Sequence, residues 1–126
     1  MGRSKTVLVV EDDETAAAAY SRGLNERGYD SLTLENADEA MHALKAGETF
    51  AALVVDVNLG RGETGYGVAR FARQSAPSLP VIYVSGEPTL HSWDTFGVPG
   101  SRYLAKPFRT ETLLDLLESL LPGREA

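Results

Sequence analysis

Cysteine is missing from this chain, and histidine occurs only at positions 42 and 91. Disulfides and thiolate chemistry are therefore excluded, and two imidazoles alone do not make a transition-metal site. No apolar stretch approaches the roughly 20 residues that a bilayer-spanning helix requires, so no membrane association is expected. Basic residues are also scarce: 12 Lys and Arg stand against 18 Asp and Glu, a formal net charge of −6. The Lys and Arg are scattered, which removes the basic footprint that direct nucleic-acid binding needs. The amino terminus, Met1-Gly2-Arg3-Ser4-Lys5, lacks the basic, apolar and small-residue succession of a secretory signal. A cytoplasmic protein is expected.

Within 126 residues, 43% of them hydrophobic, there is enough apolar surface for one compact domain, taken as residues 1–126. Apolar runs of four to six residues alternate with longer segments of helical period, the pattern of a parallel sheet covered on both faces. Strands are predicted near 6–10, 31–35, 51–55, 80–84 and 102–105, and helices near 14–27, 37–46, 65–75, 88–96 and 109–121. Gly28 and Gly47 supply helix stops, and Asn36 with Glu39 three residues on reads as a capping box. Leu113, Leu114, Leu117, Leu120 and Leu121 form a packing stripe on the last helix. Pro88, Gly97, Pro99 and Gly100 interrupt the segment before the fifth strand, which predicts a short or irregular fourth helix. The fold class is α/β: a five-stranded, doubly wound parallel sheet, whose ligands bind outside the carboxyl ends of the strands.

Four polar islands fall at those ends: Glu11-Asp12-Asp13, Asp56, Ser85 and Lys106. Singly, each has a plain structural reading as a helix cap, a turn or a solvated lysine before a proline. The acidic run alone would favour the positive end of the first helix dipole. Together they place several carboxylates, one hydroxyl and one ammonium on one sheet edge. Crowded carboxylates repel unless protonation or a cation relieves them, and magnesium suits such oxygen donors. Asp12 and Asp56 are the expected direct ligands, with the backbone carbonyl of Asn58 as a third and Glu11 acting through water. A carboxylate is also a competent phosphoryl acceptor, given charge compensation by the metal, Lys106 and Ser85. Asp56, at the end of the central strand, is the expected acceptor.

The motifs Val-Leu-Val-Val-Glu-Asp-Asp-Glu, Leu-Val-Val-Asp-Val-Asn-Leu, Ile-Tyr-Val-Ser-Gly and Tyr-Leu-Ala-Lys-Pro-Phe, spread over residues 5–121, resemble a response-regulator receiver domain of two-component signalling. The resemblance implies a flavodoxin-like strand order 2-1-3-4-5. It implies that Asp56 is the phospho-acceptor, that Glu11 and Asp12 bind magnesium, and that Lys106 binds phosphate. Ser85 and Tyr103 would be the switch pair, and Asn58 and Glu87 would tune hydrolysis. The Lys106-Pro107 peptide would be cis. The implied partners are a sensor histidine kinase or a histidine phosphotransfer protein as donor, plus an output protein that the sequence does not name; homodimerisation is left open. Such a domain assists its own phosphorylation and dephosphorylation and is not a dedicated turnover enzyme.

Two features depart from the family pattern. Gly60 and Thr64 stand where relatives usually carry proline and glycine, and Gly65 arrives one residue late, predicting a longer and more flexible loop. The broken fourth-helix segment is the other; there Trp93 is expected to pack and His91 to face solvent, the sharper alternative being a partner surface. Two competing functions remain: a pseudo-receiver that binds partners without phosphorylation, and a magnesium-dependent aspartyl phosphatase. The latter fits less well, because its nucleophile would follow the first strand in an Asp-x-Asp arrangement, where this chain reads Glu11-Asp12-Asp13-Glu14.

Overall fold

A computed structural model describes residues 5–60, 63–86 and 90–121. Five strands, β1 (Thr6–Val10), β2 (Asp30–Leu34), β3 (Ala52–Asp56), β4 (Val81–Ser85) and β5 (Arg102–Ala105), alternate with five helices. The helices are α1 (Glu14–Glu26), α2 (Ala37–Lys45), α3 (Gly65–Ser75), α4 (Leu90–Phe96) and α5 (Thr110–Leu120). The strands pair in parallel in the order β2-β1-β3-β4-β5. Winding direction reverses between β1 and β3, where a doubly wound sheet opens its ligand crevice.

Alternation along the strands sends residues to two cores. Leu8, Val10, Leu53, Val55 and Tyr83 pack with Ala37 and Ala40 of α2 and with Val68, Ala69 and Ala72 of α3. Val7, Val9, Val54, Ile82 and Val84 pack with Tyr20 and Leu24 of α1 and with Leu113, Leu114 and Leu117 of α5. Every residue of β3 and β4 is buried, as their unbroken apolar runs require. The outer strands β2 and β5 carry exposed polar residues such as Asp30 and Arg102.

The predicted boundaries of the two central strands shift by one residue. β3 includes Asp56, paired with Val84, and β4 includes Ser85, paired with Ala105. The backbone ladder continues past the last apolar side chain, since pairing uses N–H and C=O groups whatever the side chain's polarity. The two polar residues thus end their strands instead of following them. β2 likewise shifts by one residue, starting at polar Asp30, which pairs with Thr6, and ending at Leu34, which pairs with Val10.

Helix starts follow from side-chain caps. Asp13 accepts from the N–H groups of Thr15 and Ala16, so one member of the acidic run is the cap of α1. Asn36 accepts from the Glu39 N–H, while Glu39 reaches back to the N–H of Glu35, one residue outside a standard capping box. Gly28 and Gly47 follow α1 and α2 with φ of 91° and 88°, a conformation that costs glycine little. The fourth helix is short, at seven residues. Thr64 caps α3 through the Gly67 N–H, and Gly65 opens that helix against the main-chain carbonyl of Asp56, where a Cβ would collide. The displaced glycine therefore meets a packing need directly behind the acidic site.

Candidate functional site

Main-chain pairing brings the polar islands together. Glu11 continues the β1 ladder by donating its N–H to the Leu34 carbonyl at 3.0 Å. Its side chain is buried, whereas that of Asp12 is exposed. Asp56, also buried, accepts from the Asn58 N–H through Oδ1 at 2.8 Å. The Lys106 N–H donates to the Ser85 carbonyl at 2.8 Å, fixing the lysine backbone beside the end of β4. From there the ammonium spans the crevice, donating to Glu11 Oε1 at 2.9 Å and to Asp56 Oδ2 at 3.0 Å. One lysine therefore engages two carboxylates from different strand ends. The Lys106-Pro107 peptide is cis.

Glu11 and Lys106 respond to this crowding. The Glu11 carboxyl is pushed up to about 7, chiefly by burial; the Lys106 bond and the Asp13 N–H oppose the rise, and the Asp56 charge adds to it. Desolvation pulls Lys106 down, but its hydrogen bonds to Glu11 and Asp56 outweigh that, and the net shift is upward. Three carboxylates against one ammonium leave an excess of negative charge. Oxygen atoms of Glu11, Asp12 and Asp56 all lie within 4.8 Å of one another. This hard-donor set, short of positive charge, fits a divalent cation such as magnesium.

The other predicted residues take distinct places. Ser85 is fully buried at the end of β4, and Asn58 is exposed two residues beyond Asp56. Tyr103 is half-buried opposite Tyr83 in the β4–β5 register, away from the carboxylate cluster in chain position. Its ring stacks on Trp93 of α4, with centroids 6.0 Å apart. Trp93 also donates to the Ser101 hydroxyl at 3.0 Å, and that hydroxyl donates to the Val98 carbonyl. Trp93 is thus a packing residue, as expected, and a neighbour of Tyr103 that the sequence does not disclose. Glu87 and the side chain of His91 lie outside the described residues, as do Arg61 and Gly62 of the loop after Asp56. A cleft of about 820 Å3 along α1 and the end of β2 touches the cluster only at Glu11, so the chemistry sits at its margin.

The fold is thus a doubly wound parallel sheet with acids and a bridging lysine gathered at its strand ends and a buried serine at the end of β4. The family model for the response regulator receiver domain matches residues 7–118, and the chain belongs to that family. Receiver domains belong to two-component systems and are signalling domains, not dedicated enzymes. The response regulator protein FleR of Pseudomonas aeruginosa is 32% identical over 124 residues, covering 94% of this chain and 26% of that protein. The chain spans about a quarter of the length of the curated relatives it matches. A response regulator receiver protein from Sinorhizobium medicae superposes with a TM-score of 0.90 at 29% identity, covering 98% of both chains. The response regulator TrrA of Thermotoga maritima, solved with Mg2+ and BeF, gives 0.79 at 22% identity, covering 92% of this chain and 98% of that one. At that identity the likeness concerns the fold. Among the described residues no helix is long and apolar enough to cross a membrane.

The raised Glu11 value predicts a specific pH dependence in metal-free protein. Its folded-state pKa lies above the ordinary 4.5, so the stability it contributes is full below that pH and lost as pH rises through about 7. Glu11→Gln, which keeps the shape of the protonated acid, should gain stability relative to the parent across this window, by about 3 kcal/mol at most. Denaturant unfolding with chelator at matched pH values measures the difference; a difference that does not change with pH contradicts the assignment.

Proposed function

We propose that this chain is a phosphorylation-dependent receiver that accepts a phosphoryl group on Asp56 in a magnesium-dependent reaction and thereby switches a protein-interaction surface. The observation that carries the reading is the Lys106 bridge between Glu11 and Asp56 beside the three-carboxylate cluster. Residues 1–126 act as one domain, with 5–121 as its core. The donor is a phosphohistidine on a sensor histidine kinase or histidine phosphotransfer protein.

In the transfer, a carboxylate oxygen of Asp56 forms a bond to phosphorus as the histidine nitrogen–phosphorus bond breaks, and the imidazole leaves. The chain's task is positioning and charge compensation, since such transfers need little other covalent help. The Asn58 N–H holds Asp56 Oδ1, which orients the carboxylate. Lys106, 3.0 Å from Oδ2, is within reach of a phosphoryl oxygen carried there. Asp12 and Asp56 would ligate magnesium directly, with the Asn58 carbonyl as a third ligand and Glu11 through water. When bound, the metal neutralises charge on phosphoryl oxygens. TrrA, which shares the fold, was solved in complex with Mg2+ and BeF, in keeping with a magnesium-dependent reading. Asn58 and Glu87 tune hydrolysis by limiting the approach of water.

The Ser85 hydroxyl then bonds the phosphoryl group, and Tyr103 moves in response. One charge-assisted hydrogen bond contributes about 1.5–3 kcal/mol, enough to bias a two-state element about ten- to a hundredfold. Tyr103 stacks on Trp93, the single tryptophan of the chain, which makes intrinsic fluorescence a local reporter. The output surface and its partner lie on this α4–β5 side.

Two outcomes check the reading. Incubation with acetyl phosphate and magnesium should raise the intact mass by one phosphoryl group, and chelator or Asp56→Asn should abolish the gain; equal labelling of Asp56→Asn refutes the acceptor. Magnesium with beryllofluoride should change Trp93 emission in the parent chain. Ser85→Ala should still take up phosphate but lose that change, and an undiminished response in this variant would uncouple Ser85 from Tyr103.

A further inference from the structure

We propose that Tyr20 is a positioning residue for Lys106, acting through the ring of Phe108. The inference rests on Lys106 serving the Asp56 phosphoryl group as proposed above.

The lysine must hold its ammonium between two acids although it lies outside β5, at the start of a connection. On its amino-terminal side that connection is fixed by the bond from the Lys106 N–H to the Ser85 carbonyl. On the other side, Pro107 and Arg109 are exposed, and Arg109 occupies the N-cap of α5 without a side-chain capping bond. Phe108 is the half-buried residue between them. Its ring stacks on Tyr20, with centroids 5.7 Å apart and planes 17° from parallel.

Tyr20 is a firm anchor. It is 5% exposed and packs in the core that α1 and α5 share over the sheet. Gly23, one turn along α1, lets Leu114 and Thr110 of α5 approach closely. Arg27 of α1 bonds Asp115 and Glu118 near the far end of α5. The two helices are thus joined along their length, and the Tyr20–Phe108 stack closes the joint at the end nearest Lys106. The Tyr20 hydroxyl is raised to about 12, mainly by burial and then by the Glu11 charge, so it stays a neutral phenol beside the cluster. Lys106 is therefore clamped from both sides: by a main-chain bond before it and an aromatic stack after it. The stack depends on the ring and not on the hydroxyl, which separates the two conservative substitutions at this position.

The test reads Lys106 both without and with phosphorylation. Acetylation by N-hydroxysuccinimide acetate, mapped by mass spectrometry, compares Lys106 with exposed Lys5 and Lys45 in the same sample. Tyr20→Leu should raise relative acetylation of Lys106 by about tenfold, the equivalent of one charge-assisted hydrogen bond lost, whereas Tyr20→Phe should leave it near the parent level. Phe108→Ala, which leaves α1 intact, should behave like Tyr20→Leu. Labelling by acetyl phosphate and magnesium should fall by a similar factor in Tyr20→Leu, and the same substitution should have no further effect in a Lys106→Ala background. Unchanged Lys106 acetylation in both Tyr20→Leu and Phe108→Ala, or an equal loss of labelling in both backgrounds, overturns the proposal. Should acetylation respond while the parent chain takes up no phosphate, the positioning role stands and the phospho-acceptor reading falls.

Discussion

One ammonium held between two buried carboxylates is the interaction on which the rest of this structure turns. Glu11 follows β1, Asp56 ends β3 and Lys106 follows β5, so the two bonds tie three strand ends together. Two like charges about 4 Å apart repel by roughly 4 kcal/mol at an effective dielectric constant of 20. Lys106 relieves that repulsion without cancelling it: with Glu11, Asp12 and Asp56 ionised, the cluster carries three negative charges and one positive. The shortfall has two outlets, a proton on Glu11 or a cation among the oxygens. The upward shift of Glu11, driven chiefly by burial and secondarily by the Asp56 charge, favours the first, and the proposed magnesium site is the second. Removing Lys106 instead would leave the buried Glu11 and Asp56 carboxylates without their shared ammonium, the more damaging outcome for such groups.

The surrounding fold serves that arrangement. A parallel sheet buried on both faces holds its strand ends at one level, which is why residues far apart in sequence meet with bonds near 3 Å. Gly65 packs against the Asp56 main chain from below, Asn58 orients the carboxylate from above, and the Ser85 carbonyl sets the lysine backbone. Each of these contacts is made by main-chain atoms or requires a glycine. The reporter side of the molecule is built differently. Trp93, Ser101, Val98 and Tyr83 form a chain of hydrogen bonds and ring contacts beneath α4, placing Tyr103 in a packed setting one strand from the acids.

Much of this was legible in the amino-acid sequence because it obeys short-range rules. The apolar runs located all five strands, Gly28 and Gly47 located two helix ends, and the broken period before β5 foretold a short α4. The gathering of Glu11, Asp12, Asp56 and Lys106 followed from strand order. Details that depend on the third dimension were not legible. Asp56 and Ser85 lie within their strands because backbone pairing ignores side-chain polarity. Asp13 belongs to helix capping, although the run that contains it reads as one acidic unit. The double engagement of Lys106 and the stacks of Tyr20 on Phe108 and Trp93 on Tyr103 join residues between ten and 95 positions apart, with no local pattern to announce them.

Borohydride trapping tests the central claim most directly. Reduction of an aspartyl phosphate converts that residue to homoserine, which peptide mass spectrometry locates at single-residue resolution. After treatment with acetyl phosphate and magnesium, the account predicts homoserine at position 56, dependent on the metal and strongly reduced in Lys106→Ala. Homoserine at Asp12, Asp13 or another carboxylate, or its absence from a folded chain supplied with magnesium, would contradict the account.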